Sequence, residues 1–324
     1  MPDPKPSLEQ LREQLRQAEL AGDPWKQGIA LNNLGSHYKD RRETGTAVEH
    51  FQNALDLFTA LDDREKKATV LTNLGGTYLD CRDYPRALEQ FAMALGMYGS
   101  LNHPYGQAMA LNNMGGVHLA LRRYGDARKQ FILAASFFRS AQTPNWEAQA
   151  LENLAAAEAR ADNAKAAIES YGRALEIWQR LDQHDRQAMI LNRLAALYLA
   201  AGDSQRSLEL HSRALVLAQK ASNVPLIAAI RASLGRLHFD ALNFNAARTE
   251  FQAALLSFEQ LGDKRGQANI LLNLGKVEIA TGHDLALHAA QLFREIGDSE
   301  GEKAALGCVP AEADEPAKAK NEPA

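Results

Sequence analysis

The chain has 324 residues, 46% hydrophobic and 23% charged, with a formal net charge of −4 at pH 7. That balance suits a globular chain able to bury a large core, and it argues against dedicated nucleic-acid binding, which calls for a basic domain. Two cysteines, Cys81 and Cys308, allow neither a disulfide framework nor a CxxC metal pair.

The opening MPDPKPSLEQ lacks the apolar stretch of a secretory leader, and no apolar run reaches membrane-span length. A cytoplasmic chain is expected. Residues 1–6 read as a disordered N-terminus. Residues 7–23 carry Leu8, Leu11 and Leu15 at helical spacing and read as an N-terminal capping helix.

From residue 24 the chain repeats. LNNLG at 31 returns as LTNLG at 71, LNNMG at 111, LENLA at 151, LNRLA at 191, RASLG at 231 and LLNLG at 271, always 40 residues apart. Phe51, Phe91, Phe131, Tyr171, His211 and Phe251 keep the same step, as do Ala54, Ala94, Ala134, Ala174, Ala214 and Ala254. Several columns in one register mark an internal repeat. The blocks are 24–63, 64–103, 104–143, 144–183, 184–223, 224–263 and 264–296, the last with a shortened second helix.

Each block holds two amphipathic helices. In 63–83 the apolar residues are Val70, Leu71, Leu74 and Tyr78; in 84–101 they are Ala87, Leu88, Phe91, Ala94, Leu95 and Tyr98. Asp, Asn, Pro and Gly punctuate the ends, as in LDD at 61 and LNHP at 101. Gly35, Gly75, Gly115, Ala155, Ala195, Gly235 and Gly275 form a small-residue column where helices are expected to approach closely. Residues 297–309 read as a C-terminal capping segment. The tail 310–324 has no large apolar side chain and reads as disordered.

These columns resemble the tetratricopeptide repeat in a 40-residue form. Leu74–Gly75 with Tyr78, then Ala87, Phe91 and Ala94, carry the resemblance, and it extends over about residues 7–307. GDKRGQANILLNLG (262–275) looks like the repeats of kinesin light chains and LGN-type spindle adaptors, and bacterial regulatory proteins carry similar units. The resemblance implies an all-α, right-handed α-solenoid of antiparallel helix pairs whose first helices line a concave groove.

On each first helix a polar stripe lies opposite the leucines. It offers Asn32 and Asn33, then Thr72 and Asn73, Asn112 and Asn113, Asn153, Asn192 and Arg193, Arg236, and finally Asn269, Asn273 and Lys276. An asparagine amide can pair with both groups of a peptide backbone. The resemblance assigns that role to Asn33, Asn73, Asn113, Asn153 and Asn273; the bland alternative is that they solvate the groove or bridge neighbouring helices. The ladder breaks at Arg193 and Ser233. Arg160, Arg193, Arg236 and Lys276 make the later blocks basic, which would suit an acidic segment or a C-terminal carboxylate.

Other chemistry is not visible. His118 and His238 stand in a tyrosine register and His211 in an aromatic one; His283 and His288 are five apart, and no HExxH, P-loop or GxSxG occurs. No catalysis, metal or cofactor is expected. The expected role is a cytoplasmic adaptor that binds a protein or peptide partner, without nucleic acid or membrane. A peptide-sensing regulator and a regulatory subunit of a partner enzyme or transcription factor are the alternatives. The oligomeric state is open.

Overall fold

The computed structural model describes residues 6–277 and 283–308. The expected disordered tail 310–324, and all but Pro6 of the expected disordered N-terminus, fall outside these residues. The described residues are all-α, with no strand among them. The helices are α1 (Leu8–Leu20), α2 (Pro24–Asp40), α3 (Thr44–Ala60), α4 (Arg64–Asp80), α5 (Tyr84–Ser100), α6 (Pro104–Ala120), α7 (Tyr124–Ser140), α8 (Pro144–Arg160) and α9 (Ala164–Arg180). They continue with α10 (His184–Ala200), α11 (Ser204–Lys220), α12 (Val224–Asp240), α13 (Phe244–Leu261), α14 (Lys264–Val277), α15 (His283–Glu295) and α16 (Ser299–Leu306). The architecture is a solenoid of helix pairs. It divides into two compact units, one ending at Ile177 and the other starting at Trp178, a boundary inside α9.

One turn serves nearly every junction. After each helix from α1 to α13 a single residue takes positive φ: Gly22, then Arg42, Asp62, Arg82, Asn102 and so on to Gly262, 20 residues apart. The next N–H reaches back five residues, as from Asp63 to the Phe58 carbonyl (3.0 Å) and from Asp83 to the Tyr78 carbonyl (2.8 Å). This Schellman closure satisfies carbonyls that a helix end leaves unpaired. The same residue that closes one helix often caps the next. Asp63 accepts from the Lys66 N–H at 3.0 Å, Asn223 from the Leu226 N–H at 3.0 Å, and the His103 Nδ1 from the Gly106 N–H at 2.9 Å.

The core explains the small-residue column. A Cβ at Gly35 would fall 2.7 Å from Phe51, at Gly75 2.7 Å from Phe91, at Gly115 2.6 Å from Phe131, and at Gly235 2.6 Å from Phe251. Each ring therefore lies flat against a bare backbone, and all four rings are no more than 1% exposed. Where the small residue is Ala155 or Ala195, the aromatic is Tyr171 or His211 instead. The substitutions are matched across the helix pair, as close packing requires. Glutamines staple the next layer: Gln27 donates to the Ala18 carbonyl (3.3 Å), Gln187 to that of Trp178 (3.1 Å) and Gln267 to that of Phe258 (3.3 Å).

Within each unit the two helix rows differ. In the first, α2 touches α4, α4 touches α6 and α6 touches α8; in the second, α10 touches α12 and α12 touches α14. The second helices α3, α5 and α7, and likewise α11 and α13, make no comparable contact with one another. A row whose members meet lies on the inner side of a curved stack, so the first helices face inward in each unit.

Candidate peptide-binding stripe

The inner row carries the polar stripe because helical winding, at 100° per residue, sends positions 32 and 33 away from Leu34 and Leu71. Leu34, Leu71 and Gly75 are buried in the core. Asn32, Thr72, Asn73, Asn112, Asn113, Asn153, Asn192 and Asn273 are half-buried, while Asn33, Arg193, Arg236, Asn269 and Lys276 are exposed. None of these thirteen is enclosed in the core.

In the first unit the asparagines bond to each other. The Asn73 Nδ2 donates to the Asn32 Oδ1 at 2.9 Å, and the Asn153 Nδ2 donates to the Asn112 Oδ1 at 3.0 Å. Both bonds join consecutive first helices. Part of the ladder thus performs the bridging that the bland alternative described. Each pair still leaves an amide N–H on the first residue and a carbonyl lone pair on the second. Thr72 breaks the pattern, because its hydroxyl donates to the Ala68 carbonyl of its own helix at 2.9 Å. Glu152 shares the register of Asn32 and Asn112 but is buried, at 8% exposure. Sequence reading found the asparagines but not their pairing. The signal was an offset of 41 between the first asparagine of one NN doublet and the second position of the next.

Charge is arranged differently in the two units. In the first, Lys39 pairs with Asp80 at 3.5 Å, so this part of the stripe is close to neutral. Asn33 opens onto a cavity of about 650 Å³ lined also by Gln14, Trp25 and Ile29. In the second unit Arg193, Arg236 and Lys276 stand on three successive first helices without an ion pair to a described residue. The Asn192 Oδ1 beside Arg193 is enclosed and has no hydrogen-bond partner. Arg236 also acts inward. Its charge adds to the burial that depresses the His211 pKa to about 4. Burial comes first among those causes.

No group of three or more His, Cys, Asp or Glu able to hold a metal occurs among the described residues. No described helix is long and apolar enough to cross a membrane.

The tetratricopeptide-repeat family model matches residues 27–100 and 146–220. These two segments are tetratricopeptide repeats. Repeats of this family are protein-interaction modules, so a part in protein association follows. No curated protein matches the chain in sequence. Among solved structures, aspartyl phosphate phosphatase F from Bacillus subtilis is 18% identical, with a TM-score of 0.61 over 93% of this chain and 74% of that one. A Rap protein complexed with Competence and Sporulation Factor is 15% identical, with a TM-score of 0.56 over 94% and 78%. The nearly identical TPR-like repeats of a Podosopora anserina kinesin light chain are 13% identical, with a TM-score of 0.53 over 62% and 98%. At these identities the likeness is one of fold.

Proposed function

We propose that this protein is a non-catalytic adaptor that holds an extended, acidic segment of a partner along its first-helix stripe. The observation that carries the reading is the row of Arg193, Arg236 and Lys276, exposed on the inner helices of the second unit and unpaired with any described residue. Arginine grips carboxylates in bidentate fashion, and unpaired cations need no existing bond broken first. The half-buried asparagines supply backbone donors and acceptors along the same row of each unit. Asn33, Asn73, Asn113, Asn153 and Asn273 are assigned to that work, with Asn32 and Asn112 holding Asn73 and Asn153 in place.

The test is affinity capture of partners from the source cell at two salt concentrations. The protein is compared with its Arg193→Glu, Arg236→Glu double variant. The partner should be lost from the variant, and wild-type capture should weaken with salt. Equal capture by both proteins at both salt concentrations refutes the reading.

A peptide-sensing regulator is the second reading. It is favoured by the Rap structure, whose protein is complexed with Competence and Sporulation Factor. Under this reading a short peptide, and not a second folded protein, would saturate the same stripe.

A further inference from the structure

The outer row of the first unit holds a second groove. It lies between the ends of α3 and α5, at the start of α4, and encloses about 520 Å³. Phe58, Met93 and Met97 give its apolar wall, Gly96 leaves it open, and Arg64 and Lys67 stand at its edge. Met93 is 44% exposed. A Cβ at Gly96 would meet nothing within 4 Å, so close packing does not explain this glycine.

The repeat itself shows which of these residues the fold does not require. One repeat later the positions of Arg64, Lys67, Gly96 and Met97 are Pro104, Gln107, Ser136 and Phe137; one repeat earlier they are Pro24, Gln27, Asp56 and Leu57. Gln27 spends its amide on a backbone carbonyl, the staple described above. Lys67 takes that place and makes no ion pair with a described residue. Arg64 lies 3.6 Å from Asp62, with both side chains well exposed, a pairing of little strength that leaves the guanidinium free to turn. Two cations therefore border an apolar slot, against the single carboxylate of Asp62. Methionine walls suit a guest of variable shape, because the thioether chain is flexible and polarisable.

We propose that this groove is a separate docking site for a partner protein's segment in which a bulky apolar side chain sits beside carboxylates. The apolar side chain enters between Met93 and Met97, and the carboxylates meet Lys67 and Arg64. Its apolar walls lie on the helix row opposite the stripe, and its cations stand in the first turn of α4, more than a helical turn before Thr72 and Asn73, so both sites can be filled at once.

The test labels the methionine methyl groups with carbon-13. Met93 and Met97 report the outer groove, and Met109 and Met189 on α6 and α10 report the inner row. The probe is a synthetic octapeptide with one leucine flanked by Asp and Glu; its counterpart carries lysines in place of both acids. Acidic peptide should shift Met93 and Met97, and the lysine peptide should not. Lys67→Glu should weaken binding by about tenfold or more, and Gly96→Trp should abolish it by filling the slot. If the tryptophan variant fails to fold, Lys67→Glu decides alone. No shift at millimolar peptide, equal shifts with both peptides, or undiminished binding to Lys67→Glu overturns the proposal. Shifts confined to Met109 and Met189 also overturn it, while supporting the inner stripe as the binding surface.

Discussion

Gly115 and Gly116 are adjacent on α6, yet the structure requires only one of them. A Cβ at Gly115 would lie 2.6 Å from the Phe131 ring, which is 1% exposed and cannot retreat. A Cβ at Gly116 would meet nothing within 4 Å. Replacing a helix-interior glycine with alanine gains about 1 kcal/mol of helix propensity at either site. Only at Gly115 does the new methyl overpack the core, at a cost of about 1–3 kcal/mol. Gly116→Ala should therefore stabilise by up to about 1 kcal/mol, and Gly115→Ala should lie about 1–3 kcal/mol below it. The assay is urea unfolding of both variants and the wild type, followed by far-UV circular dichroism and by tyrosine fluorescence. Two probes are needed because repeat arrays need not unfold in one step. Equal stabilisation by both substitutions would refute the idea that the small-residue column exists for the aromatic rings.

Two further outcomes follow from the turns and from repeat five. Leu242 takes φ 58° with its side chain 74% exposed, at a position where a left-handed leucine costs about 1–2 kcal/mol and glycine is free of that cost. After the extra unfolded-state entropy of glycine, Leu242→Gly should gain about 0.5–1 kcal/mol; a lower urea midpoint would count against the turn argument. His211, buried and depressed to about 4, titrates near 6.5 once unfolded, so the unfolded chain takes up its proton first. Stability from this group is therefore full above about pH 6.5, falls as the pH drops towards 4, and levels off below. Between pH 7.5 and 5 the loss should be about 2 kcal/mol, and His211→Phe should remove that part of the slope. His50 and His118 are lowered by burial too, but they remain in both proteins, so the difference isolates His211. Parallel pH profiles for the two proteins would show that His211 is not held neutral by the core.

The helix pairs were legible because the first helix is written seven times, and the second six times, in one register. A single amphipathic segment such as 84–101 is ambiguous alone, but Phe91 and Ala94 recurring at 131 and 134 are not. The close approach at Gly75 was legible as a small residue on a leucine face, but its partner ring Phe91 was not, since sequence gives no contact between two helices. The candidate stripe was legible as a face for the same reason, because winding alone turns Asn73 away from Leu74. The bond from Asn73 to Asn32 was not, because it depends on how far two separate helices advance past one another. The outer groove was hidden for a further reason. It consists of departures from the repeat, Lys67 and Gly96, and a search for recurring columns discards departures as noise.

Repeat five shows what such departures can mean when they fall in the core. The positions held elsewhere by alanine and an aromatic ring are Ser207 and His211 on α11, and the second aromatic position is Ala218. Ser207 and His211 are 0% and 2% exposed, and neither the Ser207 Oγ nor the His211 Nδ1 has a hydrogen-bond partner. Buried polar atoms without partners cost about 1–3 kcal/mol each, and a repeat array feels such costs locally, because each repeat is held mainly by its neighbours. The same repeat is where the stripe exchanges its asparagine for Arg193. A repeat with a weakened core and a basic inner face has least stability to lose when it adjusts to a ligand, as elements that move on binding must. Under the proposed function, repeat five is therefore where binding at Arg193 would be coupled to local opening around Ser207 and His211.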